Sequence, residues 1–440
     1  MRQSTYSYLP GKRVVCALLI ATLGSVLGAC IEFPQSLDPQ LVATLADIDT
    51  EQTDIEDLLD RVTDSQRLAG CKVEFLPDGP TSFDAMIALI AAANDHINAE
   101  TWAFDAYVTP ETPEAHTLLG LLKDKLSQGV KVNIIIDPVV QCLWSRGTLL
   151  SELQDAGANV RAFSTAPRTA PLYDLLYRQH KKLIIVDGRQ VMLGDINFGV
   201  RYIGHELWRS TNVLIEGPIV STIQRIFLQD WRDLGGHIDD ESHYLPRITP
   251  AGDFSVRAID QRPVENDFDI NAALLVALRF ARQRVDIEAP YFNPSNWLAN
   301  ELLATAARGV DVRILTNADE SQNQPFSYNA AAYWFEPMLA GGVRIFLWSQ
   351  PNSTLHSKSI VVDNCFAMLS THNSNLRSIM WDTEIAVIFT DATAVQQARQ
   401  MVAEGFDHEC VFEIDQDWIA AQPFGERLLW QLTHGVGWIF

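Results

Sequence analysis

His180-Lys181-Lys182-Leu183-Ile184-Ile185-Val186-Asp187 and His356-Ser357-Lys358-Ser359-Ile360-Val361-Val362-Asp363 are two copies of one pattern, His-x-Lys, four residues, then Asp. Each copy has an Asn ten residues beyond its Asp, Asn197 and Asn373. Four fixed positions repeated at identical spacing point to a duplicated unit, not to chance. Each run reads as a strand, in which side chains two apart share a face. His180 and Lys182 then point the same way, with Ile184 and Val186 continuing the row, and His356 and Lys358 repeat this with Ile360 and Val362. Asp187-Gly188 signals a hairpin turn, and Asp363-Asn364 a similar one. A turn role for Asp187 stands beside a catalytic one.

The duplication extends on both sides of the pattern. A helix over Phe83 to Ala93 and a strand over His96 to Thr101 have counterparts at Ile270 to Ala281 and Arg284 to Ala289. A helix into Gln128-Gly129 followed by a strand Val130 to Ile136 matches Arg308-Gly309 and Val310 to Thr316. Gly157 ahead of Val160 to Phe163 matches Gly342 ahead of Val343 to Leu347. Helices alternating with strands in this order predict an α/β fold with a mixed sheet in each half. The period is far too long for a solenoid.

Two imidazoles, two ammonium groups and two amides suit a phosphate. Displacement at phosphorus needs a nucleophile on one side and an acid on the other. Each copy supplies one His, so two copies facing each other across a pseudo-twofold axis would supply both. One His is phosphorylated, and the other protonates the leaving alcohol and then deprotonates the incoming one. Lys182, Lys358, Asn197 and Asn373 would stabilise the non-bridging oxygens. This set carries the charge without a metal, and no cofactor is called for.

Both patterns resemble the HKD motif of the phospholipase D superfamily. Flanking stretches are similar to its cardiolipin synthase-like branch: Arg178 to Leu183, Gly194-Asp195-Ile196-Asn197, Leu207-Trp208-Arg209, Ile215 to Pro218, Ala289-Pro290-Tyr291-Phe292 and Leu376-Arg377-Ser378. The similarity covers roughly residues 71 to 410. It implies two tandem phospholipase D-like repeats, each a mixed sheet flanked by helices, and a covalent phosphohistidine. It further implies that His180 attacks, that His356 is the acid, and that Lys182, Asp187, Asn197, Lys358, Asp363, Asn373 and Glu384 complete the site. The family usually has Gly-Ser or Gly-Gly before the Asn, where this chain has Gly194-Asp195 and Ser370-Thr371-His372. It also places a carboxylate after the Asn to orient a motif His. Glu384 fits that place in the second copy, the first copy has Ser210 there, and Glu206 is a nearby substitute. Whether Glu384 serves His356 or reaches across to His180 is open at this point.

The implied activity is a phosphatidyltransferase or phospholipase D acting on glycerophospholipids, with cardiolipin synthesis as one form. A metal-independent nuclease of the same fold and a catalytically silent surface lipoprotein are the alternatives. The net charge of −22 over 440 residues argues against a nucleic-acid partner, which calls for a basic patch. The expected partners are a glycerophospholipid and a membrane surface, and the expected state is a monomer.

Lys12, Arg13, the apolar run Val14 to Ala29 and the junction Leu27-Gly28-Ala29-Cys30 read as an export signal. The junction resembles a bacterial lipobox, which implies cleavage before Cys30, lipidation of its thiol and an exported, membrane-anchored protein. The boundaries expected are a signal peptide at 1–29, an acidic tether with peripheral helices at 30–70, repeats at 71–250 and 251–412, and a helical tail at 413–440. Cys71, Cys142, Cys365 and Cys410 allow three full pairings, and none has the CxxC spacing of a metal site. The tail, Leu428 to Phe440, reads as a packed helix or as an interfacial segment.

Overall fold

The computed structural model describes residues 37–440 except 47, 49, 103, 105–112, 145–148, 167–168, 170, 199–207, 325, 352, 435 and 438–440. The export signal, Cys30 and Glu206 lie outside the described residues.

Eight strands belong to the first half: β1 Arg67–Leu76, β2 His96–Thr101, β3 Lys131–Ile136, β4 Asn159–Ala162, β5 Arg178–Gln179, β6 Leu183–Val186, β7 Gln190–Gly194 and β8 Asn212–Glu216. Eight follow in the second: β9 Phe254–Gln261, β10 Arg284–Glu288, β11 Asp311–Asn317, β12 Arg344–Trp348, β13 Ser359–Val362, β14 Phe366–Ser370, β15 Asp382–Phe389 and β16 Val411–Ile414. The first half runs β4-β3-β2-β6-β7-β8-β1 across its sheet, and the second runs β12-β11-β10-β13-β14-β15-β9, with β16 at the outer edge. The two orders are the same, so the halves are two copies of one mixed sheet. They join through the antiparallel pair β1 and β9 into one continuous sheet, and that junction carries the pseudo-twofold relation.

The local sequence accounts for these elements. In both copies a helix ends at a Gly with φ of 88°, Gly129 and Gly309. This is the left-handed residue that closes a helix, and only glycine takes it without strain. The chain leaves each Gly directly into a buried parallel strand, β3 or β11. Strand β6 is apolar on both faces because both faces are covered. Leu183 and Ile185 enter one core while Ile184 and Val186 enter another. Val361 lies in the same core as Leu183, and Ile360 and Val362 face away from it. That shared core is built on helices Ile219–Asp233 and Ala392–Phe406, one from each copy.

Residues 39–62 form two helices, Pro39–Ala46 and Ile55–Val62, which pack on helix Asp269–Phe280 of the second repeat. Leu45, Ile55, Leu58 and Leu59 are buried there. The acidic face of this segment has a partner: buried Arg257 binds Glu56 at 2.6 Å, and also Asp60. The tail is a packed helix, Phe424–His434, with Leu429, Trp430 and Thr433 buried. Phe424 and Leu428 remain exposed. Cys71, Cys142, Cys365 and Cys410 are all unpaired. No helix among the described residues is long and apolar enough to cross a membrane.

One expectation is corrected. His180 to Val186 is not a single strand, since β6 begins at Leu183 and β13 at Ser359. Both His-x-Lys segments leave their own sheet before it starts and bond to the opposite repeat. The His180 N–H donates to the Thr383 carbonyl at 3.1 Å, and the His356 N–H donates to the Arg209 carbonyl at 2.7 Å. Short parallel pairings flank each contact, Gln179 with Thr383 and Leu355 with Arg209.

Candidate active site

The same crossing continues in the side chains. His180 Nδ1 lies 3.0 Å from both carboxylate oxygens of Glu384, a residue of the second repeat. His356 Nδ1 lies 3.9 Å from Asp195 of the first repeat. Glu384 therefore serves His180, not the His of its own copy. All four groups are buried. Thr371 donates its hydroxyl to Glu384, and Ser210 donates its hydroxyl to Asp195.

Each Lys folds back on its own His: Lys182 Nζ donates to the His180 carbonyl at 2.7 Å, and Lys358 Nζ to the His356 carbonyl at 2.7 Å. Lys358 Nζ also lies 3.4 Å from His356 Nδ1. Trp102 stands edge-on to His180, and Trp208 and Tyr291 flank His356. The Asn197 side-chain oxygen Oδ1 accepts from Thr101 Oγ1 and the Trp102 N–H at 3.3 and 3.2 Å. Asn373 is fixed by its N–H to Ser378 Oγ at 3.1 Å, and its side-chain oxygen is buried with no partner among the described residues. His372 accepts the Ser374 N–H on Nδ1, which leaves Nε2 as a buried donor without a partner among the described residues.

Burial sets the protonation of this cluster. It is the largest influence on His180 and, aided by Lys182, holds that imidazole well below its ordinary range. His356 is pushed down to about 3 by burial and then by Lys358. Burial lowers Lys182 to about 7, against the attraction of Glu384, and Lys358 to about 8, against Asp195 and Glu384. Lys182 also feels Lys358 and Asp195, so the two motifs share one electrostatic site. Burial raises Glu384. Burial also works upward on Asp195, but His356 and Lys358 outweigh it and hold that carboxylate below its usual range. Burial thus leaves two neutral imidazoles beside two easily discharged ammonium groups and two carboxylates, and an anion bound among them would raise the proton affinity of the imidazoles and ammonium groups.

Two members of the expected catalytic set are elsewhere. Asp187 sits in the turn after β6 with φ of 53°, and its carboxylate accepts the N–H groups of Asn94, Asp95 and His96 at 2.9 to 3.0 Å. Asp363, with φ of 44°, accepts those of Arg282, Gln283 and Arg284 at 2.7 to 2.9 Å. Both clasp the start of the neighbouring strand at the end away from the His, so their part in the motif is structural. In the sequence Asp195 stands out only as a departure from the usual Gly-Ser or Gly-Gly before the Asn. Its coincidence with the missing carboxylate at Ser210 was the signal that it belongs to the site.

Comparison with known proteins agrees with this geometry. A family model described as cardiolipin synthase, PLD-like domain, matches residues 86–231 and again 274–404. A cardiolipin synthase of Geobacillus kaustophilus is 28% identical over 359 residues, which span 80% of this chain and 69% of that one. A cardiolipin synthase A of Pseudomonas entomophila is 29% identical over 371 residues, spanning 82% and 74%. A crystal structure of a phosphatidylserine synthase from Haemophilus influenzae superposes with a TM-score of 0.65 over 87% of this chain and 96% of that one. At 14% identity it speaks for the fold alone.

Proposed function

The chain belongs to the family of cardiolipin synthase, PLD-like domains, whose model matches both of its halves; from that premise we propose that it is a phosphatidyltransferase working through a covalent phosphohistidine on His180. The observation that carries this reading is the reciprocal crossing of the two motifs, in which each His is held by the backbone and faced by a carboxylate of the other repeat.

With Nδ1–H donated to Glu384, His180 keeps the Nε2 lone pair for phosphorus and is fixed in one tautomer. Attack forms the N–P bond as the bond from phosphorus to the leaving glycerol oxygen breaks. His356 delivers a proton to that oxygen. In the second half the neutral His356 takes a proton from the acceptor alcohol, whose oxygen displaces His180. Lys182 and Lys358 stabilise the charge on the non-bridging oxygens. The substrate anion raises the proton affinity of both Lys and of His356. A phosphatidylglycerol as both donor and acceptor gives cardiolipin and glycerol, and water as acceptor gives phosphatidic acid.

The test is incubation of the purified protein with labelled phosphatidylglycerol in vesicles, with and without added glycerol, and with labelled DNA in parallel. Cardiolipin and free glycerol are the expected products. Phosphatidic acid alone would make the enzyme a hydrolase, and cleaved DNA with intact lipid would overturn the reading. The junction Leu27-Gly28-Ala29-Cys30 supports an exported protein held to a membrane by a lipid on Cys30. Cys30→Ala should release the protein from the membrane fraction, and unchanged processing and sedimentation would refute the anchor.

A further inference from the structure

The two repeats carry the same parts with one exchange. Gly194 pairs with Asn212 in the first repeat, and Ser370 pairs with Ala386 in the second. These pairs are equivalent positions. One residue on from Gly194 and Ser370 come Asp195 and Thr371. Two residues back from Asn212 and Ala386 come Ser210 and Glu384. The second repeat thus has a hydroxyl at the first place and a carboxylate at the second, and the first repeat has them the other way round. In both, the hydroxyl donates to the carboxylate. In both, the carboxylate faces the Nδ1 of the opposite motif His.

We infer that Asp195 is the positioning residue for His356, a carboxylate moved from the place now held by Ser210. Asp195 is fully buried, and its carboxylate also accepts the Thr211 N–H at 2.9 Å. Among the described residues its one ion-pair partner is His356. A buried carboxylate persists only where charge or hydrogen bonds compensate it. Its two local donors fix its place, and its charge answers the imidazolium that His356 becomes on taking a proton. The arm is shorter than that of Glu384, and the gap to the imidazole is wider, 3.9 Å against 3.0 Å. That difference suits the roles. The nucleophile is pinned in one tautomer, while the proton carrier is steered and left free to exchange.

This inference rests on the two-histidine reading above, and its test works without the lipid. Rates are measured for a series of phosphodiesters whose leaving groups run from p-nitrophenol to a simple alcohol. For Asp195→Asn, loss of proton delivery should cut the alcohol substrates by on the order of 100-fold, with a much smaller effect on the p-nitrophenol burst. Asp195→Thr should fail similarly. Asp195→Thr with Ser210→Glu, which writes the second repeat's arrangement into the first, should recover most of the lost rate. An equal loss for all leaving groups, or none, would overturn the inference. So would a double variant that melts like wild type but is no faster than Asp195→Thr. Should the double variant not fold, the leaving-group comparison for Asp195→Asn decides alone. Wild-type cleavage of the simple diesters with no action on phosphatidylglycerol would refute the lipid reading and leave this one standing.

Discussion

A buried imidazole whose Nδ1 is engaged has one nucleophilic atom left, and that fixes what His180 does. Glu384 engages it at 3.0 Å, so His180→Asn should form no covalent adduct with any diester. His356→Asn should still trap phosphate on His180 when the leaving group is p-nitrophenolate, because little acid help is needed. Peptide mass mapping reads the site, and an adduct on His356 would reverse the roles. The lysines give the pH dependence. Burial lowers Lys182 to about 7 and Lys358 to about 8. Their ammonium forms, the ones that attract a phosphodiester, therefore prevail in the free enzyme only below those values. The affinity for a non-reacting phosphodiester analogue, read as 1/Kd and needing no proton on His356, should fall by about tenfold per pH unit between roughly pH 7 and 8 and more steeply above, where both ammonium groups discharge. An affinity flat from pH 6 to 9 would show that neither ammonium titrates there.

At the scale of elements, Asp187 and Asp363 join strands and take no part in the chemistry. Each occupies a left-handed turn position and satisfies three backbone N–H groups at the start of β2 or β10. Asp187→Ala should cost about 1–3 kcal/mol of stability through those lost bonds and the strained φ, and kcat of the folded fraction should stay within a few-fold. Urea unfolding and kcat at low temperature separate the two, and a 100-fold loss of kcat at full stability would return Asp187 to the active site. Strands β3 and β11 were legible because each follows a closing Gly and is rich in buried Val, Ile and Leu, whereas β2 and β10 carry buried polar side chains, Asn98, Glu100, Asp286 and Glu288, and were legible from their matching place after a helix in each half. The ends of β6 and β13 were not. His180 and His356 bond to Thr383 and Arg209, partners far away in sequence, and local pattern carries no trace of them. The choice of Glu384 between two histidines was hidden for the same reason.

In the whole molecule the duplication was legible, because two sets of landmarks keep one order. The union of both sheets into one was not. It depends on β1, Arg67 to Leu76, whose first residues alternate in burial and read as part of an acidic spacer. The union raises a question that Lys181 answers: what holds the His180 segment against the other repeat. Lys181 points away from the site, fully buried, with Nζ 2.6 Å from Asp230 of the first repeat and bonded to Asp260 of the second. Arg262 of the second repeat binds Asp230, and also Asp233 at 3.0 Å and Asp260 at 2.7 Å. The residue between His180 and Lys182 is thus the peg of a charge network spanning both repeats. Removing one member of such a network strands the others in a dry site. Lys181→Met should therefore destabilise by about 3–5 kcal/mol. It should also lower kcat, since the peg holds the flanking catalytic pair. Adding Asp260→Asn should recover part of the stability, because a stranded charge is removed with its partner. If both single variants and the pair lose stability additively, Lys181 and Asp260 are uncoupled, and the His180 segment is held across the repeats by its bonds to Thr383 and Glu384 instead.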